Sequence, residues 1–262
     1  MKLAAFFLSL WLAVAPAYAV DYVAGTPAAL VRGQVAGTAT NDNASAGNVG
    51  EYQSNLCGTQ TATVTFTGTT TNLVVWATSP TITALCPVYF TTTGSLPSGI
   101  SASTTYYVTN NASLTSASFQ ISTTIALAQA GTAITLSTNG TATTTGIESA
   151  FLVTNTVTAL VALNLTAGDW DVECVNVNTA GSSTIDSLYV VGISTSVAFG
   201  AFGTYYQVGY STGITGNVGA IYQSPIVRES LSSTTLIYCV GEDGFITSTM
   251  QGNPFIRARR VR

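Results

Sequence analysis

From Tyr52 to Ile147 the chain runs through 96 residues without one Asp, Glu, Lys, Arg or His. What recurs there instead is a set of strand-like runs, TATVTFTG, NLVVWAT, PVYFTTT, TTYYVTN, SFQIS and AITLST, separated by turn material such as LPSG, NNAS and STNG. Thr and Val lose little rotamer freedom on a pleated surface, so this composition favours half-buried strands over helices. The spacing fits a small β domain of about six strands. Its solubility rests on the hydroxyl and amide groups of Thr, Ser and Asn.

The rest of the chain extends the same reading. Charged residues make up 7% of the 262 residues, against roughly 25% in an average globular protein. Hydrophobic residues make up 47%, with 12 Tyr and 10 Phe, too many to leave in water as a disordered chain. After Glu148 a second series of strands follows: SAFLVTN, ALVALNLT, DWDVECVNV, SLYVVGIS, TTLIYCVGE and PFIRARRVR. No helical period with caps stands out beyond the first residues, and there is no strict internal repeat.

Function is narrowed mainly by what is missing. There is no His, which removes Ser-His-Asp and Cys-His machinery and histidine-ligated zinc. Lys2 is the sole lysine, so lysine nucleophiles go too. A net charge of −4 argues against nucleic acid as a partner, because neutralising phosphates takes clustered Lys and Arg. No cofactor is implied, and a non-enzymatic role is expected.

Carboxylate chemistry is what remains. In DWDVECV, Trp170, Val172 and Cys174 fall on one face of a strand and Asp169, Asp171 and Glu173 on the other, because side chains alternate with period two. Same-face neighbours lie about 7 Å apart, which suits a hard-cation site or one half of a glycosidase pair. The simpler reading is a solvated or subunit-facing strand. The last residues, Phe255 to Arg262, alternate as a terminal strand, and Arg257 and Arg259 are expected to pair with Asp169, Asp171 or Glu173 across the sheet or between subunits. Glu242-Asp243-Gly244 reads as a turn. Tyr205, Tyr206, Tyr210 and Tyr222 lie in a glycine-rich stretch read as loops, either as recognition aromatics or as covers for the end of the core.

The amino terminus, MKLAAFFLSLWLAVAPAYA, has one Lys, an apolar run and a small-x-small site at residues 17–19. It reads as an export signal, or else as an uncleaved apolar arm. The four cysteines, Cys57, Cys86, Cys174 and Cys239, allow three connectivities. Cys57–Cys86 with Cys174–Cys239 fits the division of the chain below, and buried free thiols are the alternative in a reducing compartment.

Two stretches carry a resemblance. VYFTTTGSLPSGISASTTYYVTNNASLTSASFQISTT, followed by AITLSTNGTATTTG, resembles a small β module of tail-fibre and other virion proteins of tailed bacteriophages. The frame GNVGEY … VTALVALNLTAGDWDV … ARRVR resembles a second phage-associated unit, a β-sandwich with an apolar leader and an Arg-rich last strand. The resemblance implies an all-β, jelly-roll-like sandwich that is discontinuous in sequence. Its parts are a leader (1–19), an arm and first strands (20–58), an inserted charge-free module (59–147) and the main sandwich (148–262). It implies a virion component, fibre or decoration in type, that forms a homo-oligomer, with trimer favoured. Expected partners are other virion proteins and a polysaccharide or protein of the host surface. A secreted adhesin or surface-layer subunit is the alternative, with a polysaccharide-acting glycosidase behind it.

Overall fold

The computed structural model describes residues 44–68, 71–76, 82–200, 205–215 and 219–262. The leader and most of the amino-terminal arm lie outside the described residues. Residues 44–51 form a turn-rich segment in which the Gly47 N–H donates to Glu51 Oε2 at 2.7 Å. Tyr52 to Val261 form one compact unit, nearly all β and entirely antiparallel in its pairings.

Its sandwich is built from two sheets. The first is ordered β1–β17–β11–β14, with β1 Tyr52–Leu56, β11 Gly168–Ala180, β14 Gly219–Gln223 and β17 Met250–Arg260. Two further strands join it: β15 (Val227–Leu231) pairs with the first half of β11, and β9 (Ala150–Leu152) pairs with β17. The second sheet is ordered β10–β16–β12–β13, with β10 Thr158–Leu165, β12 Ile185–Ser194, β13 Tyr206–Thr215 and β16 Thr235–Ile246. The chain changes sheet from β9 to β10, from β10 to β11, from β11 to β12, from β13 to β14, from β15 to β16 and from β16 to β17. Repeated crossing of this kind makes the sandwich jelly-roll-like.

Strand parity builds the core. From β11 the even-numbered Trp170, Val172 and Cys174 point inward, and from β17 Ile256 and Ala258 do the same; all are essentially unexposed. They meet Leu160, Val191, Ile193 and Ile237 from the second sheet. Cys174 and Cys239 are joined by a disulfide across the sandwich, with Cα atoms 5.8 Å apart. Trp170 is fixed by its indole N–H donating to Thr166 O at 2.9 Å. The Arg260 guanidinium lies 4.3 Å from its ring centroid. Arg260 is 4% exposed, and it donates to Ala167 O and Thr166 Oγ1. The inward arginine is thus held by a ring face and oxygen acceptors, a cation–π arrangement worth more when desolvated.

Residues 61–147 form a sheet of their own, ordered β6–β3–β2–β8–β4–β5–β7. In chain order these are β2 Thr61–Thr67, β3 Leu73–Trp76, β4 Pro87–Thr92, β5 Tyr106–Val108, β6 Ser118–Phe119, β7 Ile121–Ser122 and β8 Thr144–Ile147. One face packs Phe66 on Phe90 edge-on at 5.3 Å and Trp76 near Phe119 at 5.8 Å. Gly146 is required here, because a Cβ would come 2.7 Å from the Trp76 ring. The other face carries Thr63, Thr145 and Thr91 in register across three strands, a hydroxyl row where a charged surface would ordinarily be.

Two expectations fail within this segment. AITLST is not a strand: Ile134 N–H donates to Ile121 O at 2.8 Å and Leu136 N–H to Asn72 Oδ1 at 2.8 Å, so its backbone is spent on isolated contacts. The strand comes later, at Thr144–Ile147. A short helix, α1 (Ile125–Gln129), is present where none was expected. Thr124 caps it by accepting from Leu127 N–H, and five residues are too few to display a helical period.

The segment is clamped to the sandwich in several ways. A disulfide joins Cys57 to Cys86. Leu85, Tyr107, Ile125 and Ala128 pack with Ala159, Ala162, Tyr238 and Val240 as one buried cluster. The Tyr107 hydroxyl donates to Ala159 O at 2.6 Å, and burial pushes its pKa up. Thr105 Oγ1 accepts from Phe151 N–H at 2.8 Å and donates to Phe151 O at 2.9 Å.

Candidate functional site

The side chains singled out in DWDVECV and the last strand meet on the outer face of the β1–β17–β11–β14 sheet. Register sets Asp171 opposite Arg259 and Glu173 opposite Arg257 on β17, and Asp171 opposite Arg228 on β15. Arg257 Nη2 lies 2.5 Å from Glu173 Oε1, and Arg228 Nε lies 2.6 Å from Asp171 Oδ1. Gln223 Nε2 also donates to Glu173 Oε1, at 3.3 Å. Among the described residues Arg259 has no ion-pair partner. The Asp169 carbonyl accepts from Val261 N–H at 2.8 Å. Both ion pairs join neighbouring strands of this sheet, and Arg228, absent from the sequence expectation, supplies one of them. Its signal was the β-strand run VRESL, whose partner only the register identifies.

A groove of about 330 Å³ crosses this face, lined by Tyr52, Asp171, Glu173, Ile226, Arg257 and Arg259 among others. Both carboxylates in it already accept hydrogen bonds from arginines, Asp171 from Arg228 and Glu173 from Arg257. The next rows along the strands are largely apolar, with Gln223 and Asn253 as their polar members. Leu56, Phe255 and Val175 stand side by side, and Val177 is followed by Ile221. Leu56 is 66% exposed and Ile221 72%.

The tyrosines take different positions. The stretch holding Tyr206 and Tyr210 is β13, a ten-residue strand and not a loop. Tyr205 and Tyr222 pack against the sandwich core, and Tyr222 stacks on Tyr189 with centroids 3.7 Å apart. Tyr206 packs on Phe199 at 5.1 Å. The side chain of Tyr210 lies outside what the structure describes. Tyr205 and Glu229 line a second recess of about 260 Å³. Burial pushes the Glu229 carboxyl up, but among the described residues no second carboxylate lines that recess.

A polar cluster invisible in the motifs lies between the two sheets. Glu242-Asp243-Gly244, read as a turn, is the interior of β16, and Asp243 is fully buried. The alternation Ile237, Cys239, Gly241, Asp243 points it inward, and pairing with β12 outweighs the turn preference of the triplet. A bulge between Asp186 and Leu188 lets Asp186 and Tyr189 share that inner face although they are three residues apart. Asn178 Nδ2 donates to Asp243 Oδ2 at 2.5 Å, and Asn176 Nδ2 donates to Asn178 Oδ1 at 2.5 Å and to the Tyr189 hydroxyl at 2.9 Å.

Burial, the charge of Asp186 and a hydrogen bond to it push the Asp243 carboxyl up to about 8. Asp186 is raised as well, chiefly by burial. Two buried carboxyls with no arginine in contact cannot both ionise, so they share a proton. Among the described residues no cluster of three or more His, Cys, Asp or Glu side chains is arranged to hold a metal. No helix among them is long and apolar enough to cross a membrane.

No family profile matches the chain, and no curated protein does. Among solved structures, one from the Gx strain of infectious bursal disease virus is similar at 10% identity, with a TM-score of 0.28. The match covers 80% of this chain and 57% of the viral one, little more than half of its length. At that score the likeness carries no argument about this chain.

Proposed function

We propose that this chain is a structural subunit of a virion, of the fibre, head-fibre or decoration kind found in tailed bacteriophages, and that it acts by multivalent contact and particle reinforcement, not by catalysis. The observation that carries this reading is the display arrangement. A charge-free sheet with a regular row of threonine hydroxyls is clamped to a disulfide-tied sandwich by a shared apolar cluster, a second disulfide and paired hydrogen bonds. Such a body offers flat, rigid surfaces whose individual contacts are weak and whose strength comes from repetition, the regime in which avidity multiplies affinity. The two sequence resemblances point the same way. Asp171 and Glu173 are spent on ion pairs, and Asp186 and Asp243 are sealed in the core, which supports a non-enzymatic role.

Mass spectrometry of purified particles tests this. The protein should be a stoichiometric component of the virion; its absence from particles would overturn the proposal. The two disulfides favour one other reading, a secreted adhesin or surface-layer subunit, since such bonds persist in oxidising compartments. Under that reading the protein fractionates with the cell surface or the medium and not with particles. Release of sugar from host capsule that stops on Asp171→Asn would refute the non-enzymatic part under either.

A further inference from the structure

The outer face of the β1–β17–β11–β14 sheet is arranged to pair with itself, and we infer that it is the contact between two copies of this chain related by a twofold axis. The inference goes beyond the virion reading and holds or fails independently of it. It rests on register. Along β11 the outward residues are Asp171, Glu173, Val175 and Val177, and the residues opposite them on β17 are Arg259, Arg257, Phe255 and Asn253. An axis parallel to the strands, lying above the face midway between β11 and β17, lays β17 of one copy over β11 of the other and preserves position along the strands. Arg259 then faces Asp171 of the second copy, and Val175 faces Phe255 of the second copy. Each contact is made twice, as an isologous interface requires.

The charges suit this. Glu173 is already neutralised by Arg257 at 2.5 Å, so that row can be covered without leaving a bare carboxylate. Arg259 is an exposed cation with no ion-pair partner among the described residues, in the row of the half-exposed Asp171. In the neighbouring rows Leu56, 66% exposed, and Ile221, 72% exposed, supply apolar area whose burial is favourable. Eight residues each of β11 and β17 and the five-residue β1 and β14 beside them, on strands roughly 4.8 Å apart, give a footprint on the order of 400 Å² per copy, the size of a weak, transient interface. Packed sheets cross at about 30°, which keeps these central rows in contact and splays the corners.

Sedimentation velocity on the full chain, from about 1 to about 100 μM, spans the range expected for a contact of this size. The wild type should dimerise. Arg259→Glu and Asp171→Arg should each weaken the dimer at least about tenfold, because each places like charges opposite one another twice. An equimolar mixture of the two variants should restore dimers. In the mixed dimer the carboxylate introduced at position 259 of one copy meets the guanidinium introduced at position 171 of the other, and the native pair forms at the second contact. Circular dichroism checks that each variant is folded. If Asp171→Arg is not, Val175→Asp at the centre of the face serves in its place and should also give monomers. A wild type that stays monomeric throughout, a dimer or higher oligomer indifferent to the folded variants, or a mixture of folded charge variants no better than its components overturns the inference.

Discussion

Replacing Asp243 by Asn should stabilise the protein at neutral pH and remove much of its sensitivity to alkali. Asp243 is fully buried, and its carboxyl is held at about 8 against 3.8 in the unfolded chain. The folded state thus keeps a proton that the unfolded state releases. With the folded pKa raised, the contribution to stability is complete below pH 3.8 and is lost as pH rises through about 8. The loss is ~1.4 kcal/mol per pH unit over that window, with a ceiling of about 6 kcal/mol. Asn keeps the shape, accepts from Asn178 through its oxygen and donates to Asp186 through its amide. Imperfect geometry gives some of the gain back, leaving on the order of 2–4 kcal/mol at pH 8 and close to nothing at pH 4.

For a unit of this size that is a rise in Tm of roughly 5–15 °C at pH 8. Urea unfolding of wild type and Asp243→Asn from pH 4 to pH 9 measures it. Glu148 and Glu229 are also pushed up by burial and tilt both proteins the same way, so the difference between the two curves reports the Asp186–Asp243 pair. A wild type more stable at pH 8 than at pH 4, or a variant whose stability runs parallel to it, would refute the shared-proton account.

Three further outcomes are expected. Removing the Cys57–Cys86 bond as a double Ser variant opens a loop of 29 residues and should cost about 3–4 kcal/mol, read by urea unfolding, with faster hydrogen exchange at Tyr107 and Ile125 than at Trp170. Trp170→Ala removes a fully buried ring and leaves Arg260 without its π face; it should lose roughly 3–5 kcal/mol or more, and Trp170→Phe distinctly less. Gly146→Ala drives a methyl toward the Trp76 ring at 2.7 Å and should destabilise by roughly 1–3 kcal/mol, seen as a shifted Trp emission alongside a lower Tm.

The legible parts of this chain are those in which parity runs unbroken. In DWDVECVNVNTA, from Asp169 to Ala180, side chains alternate between the two faces of one uninterrupted strand, so its inward tryptophan and outward acids can be read directly. The same parity places Asn176 and Asn178 inside, a buried polar signal that is easy to pass over because asparagine suggests a turn. The partner of Asp171 is not legible, because sequence alone does not set the register of β15. Asp186 escapes for another reason: the bulge before Leu188 breaks the count by which inner and outer residues are told apart. Asp243 was open to the same parity argument through Cys239, and local turn chemistry obscured it. The segment 133–138 looks like a strand by composition, but strands form only where a neighbour offers a free edge, and its backbone bonds go instead to Ile121 and Asn72.

The central claim is that this protein is a building block of a virion. A cryo-EM reconstruction of the particle tests it most directly. The account predicts density for the sandwich and its clamped charge-free sheet at regular, symmetry-related positions on the particle surface. A complete map of the particle in which no density fits this fold would contradict it.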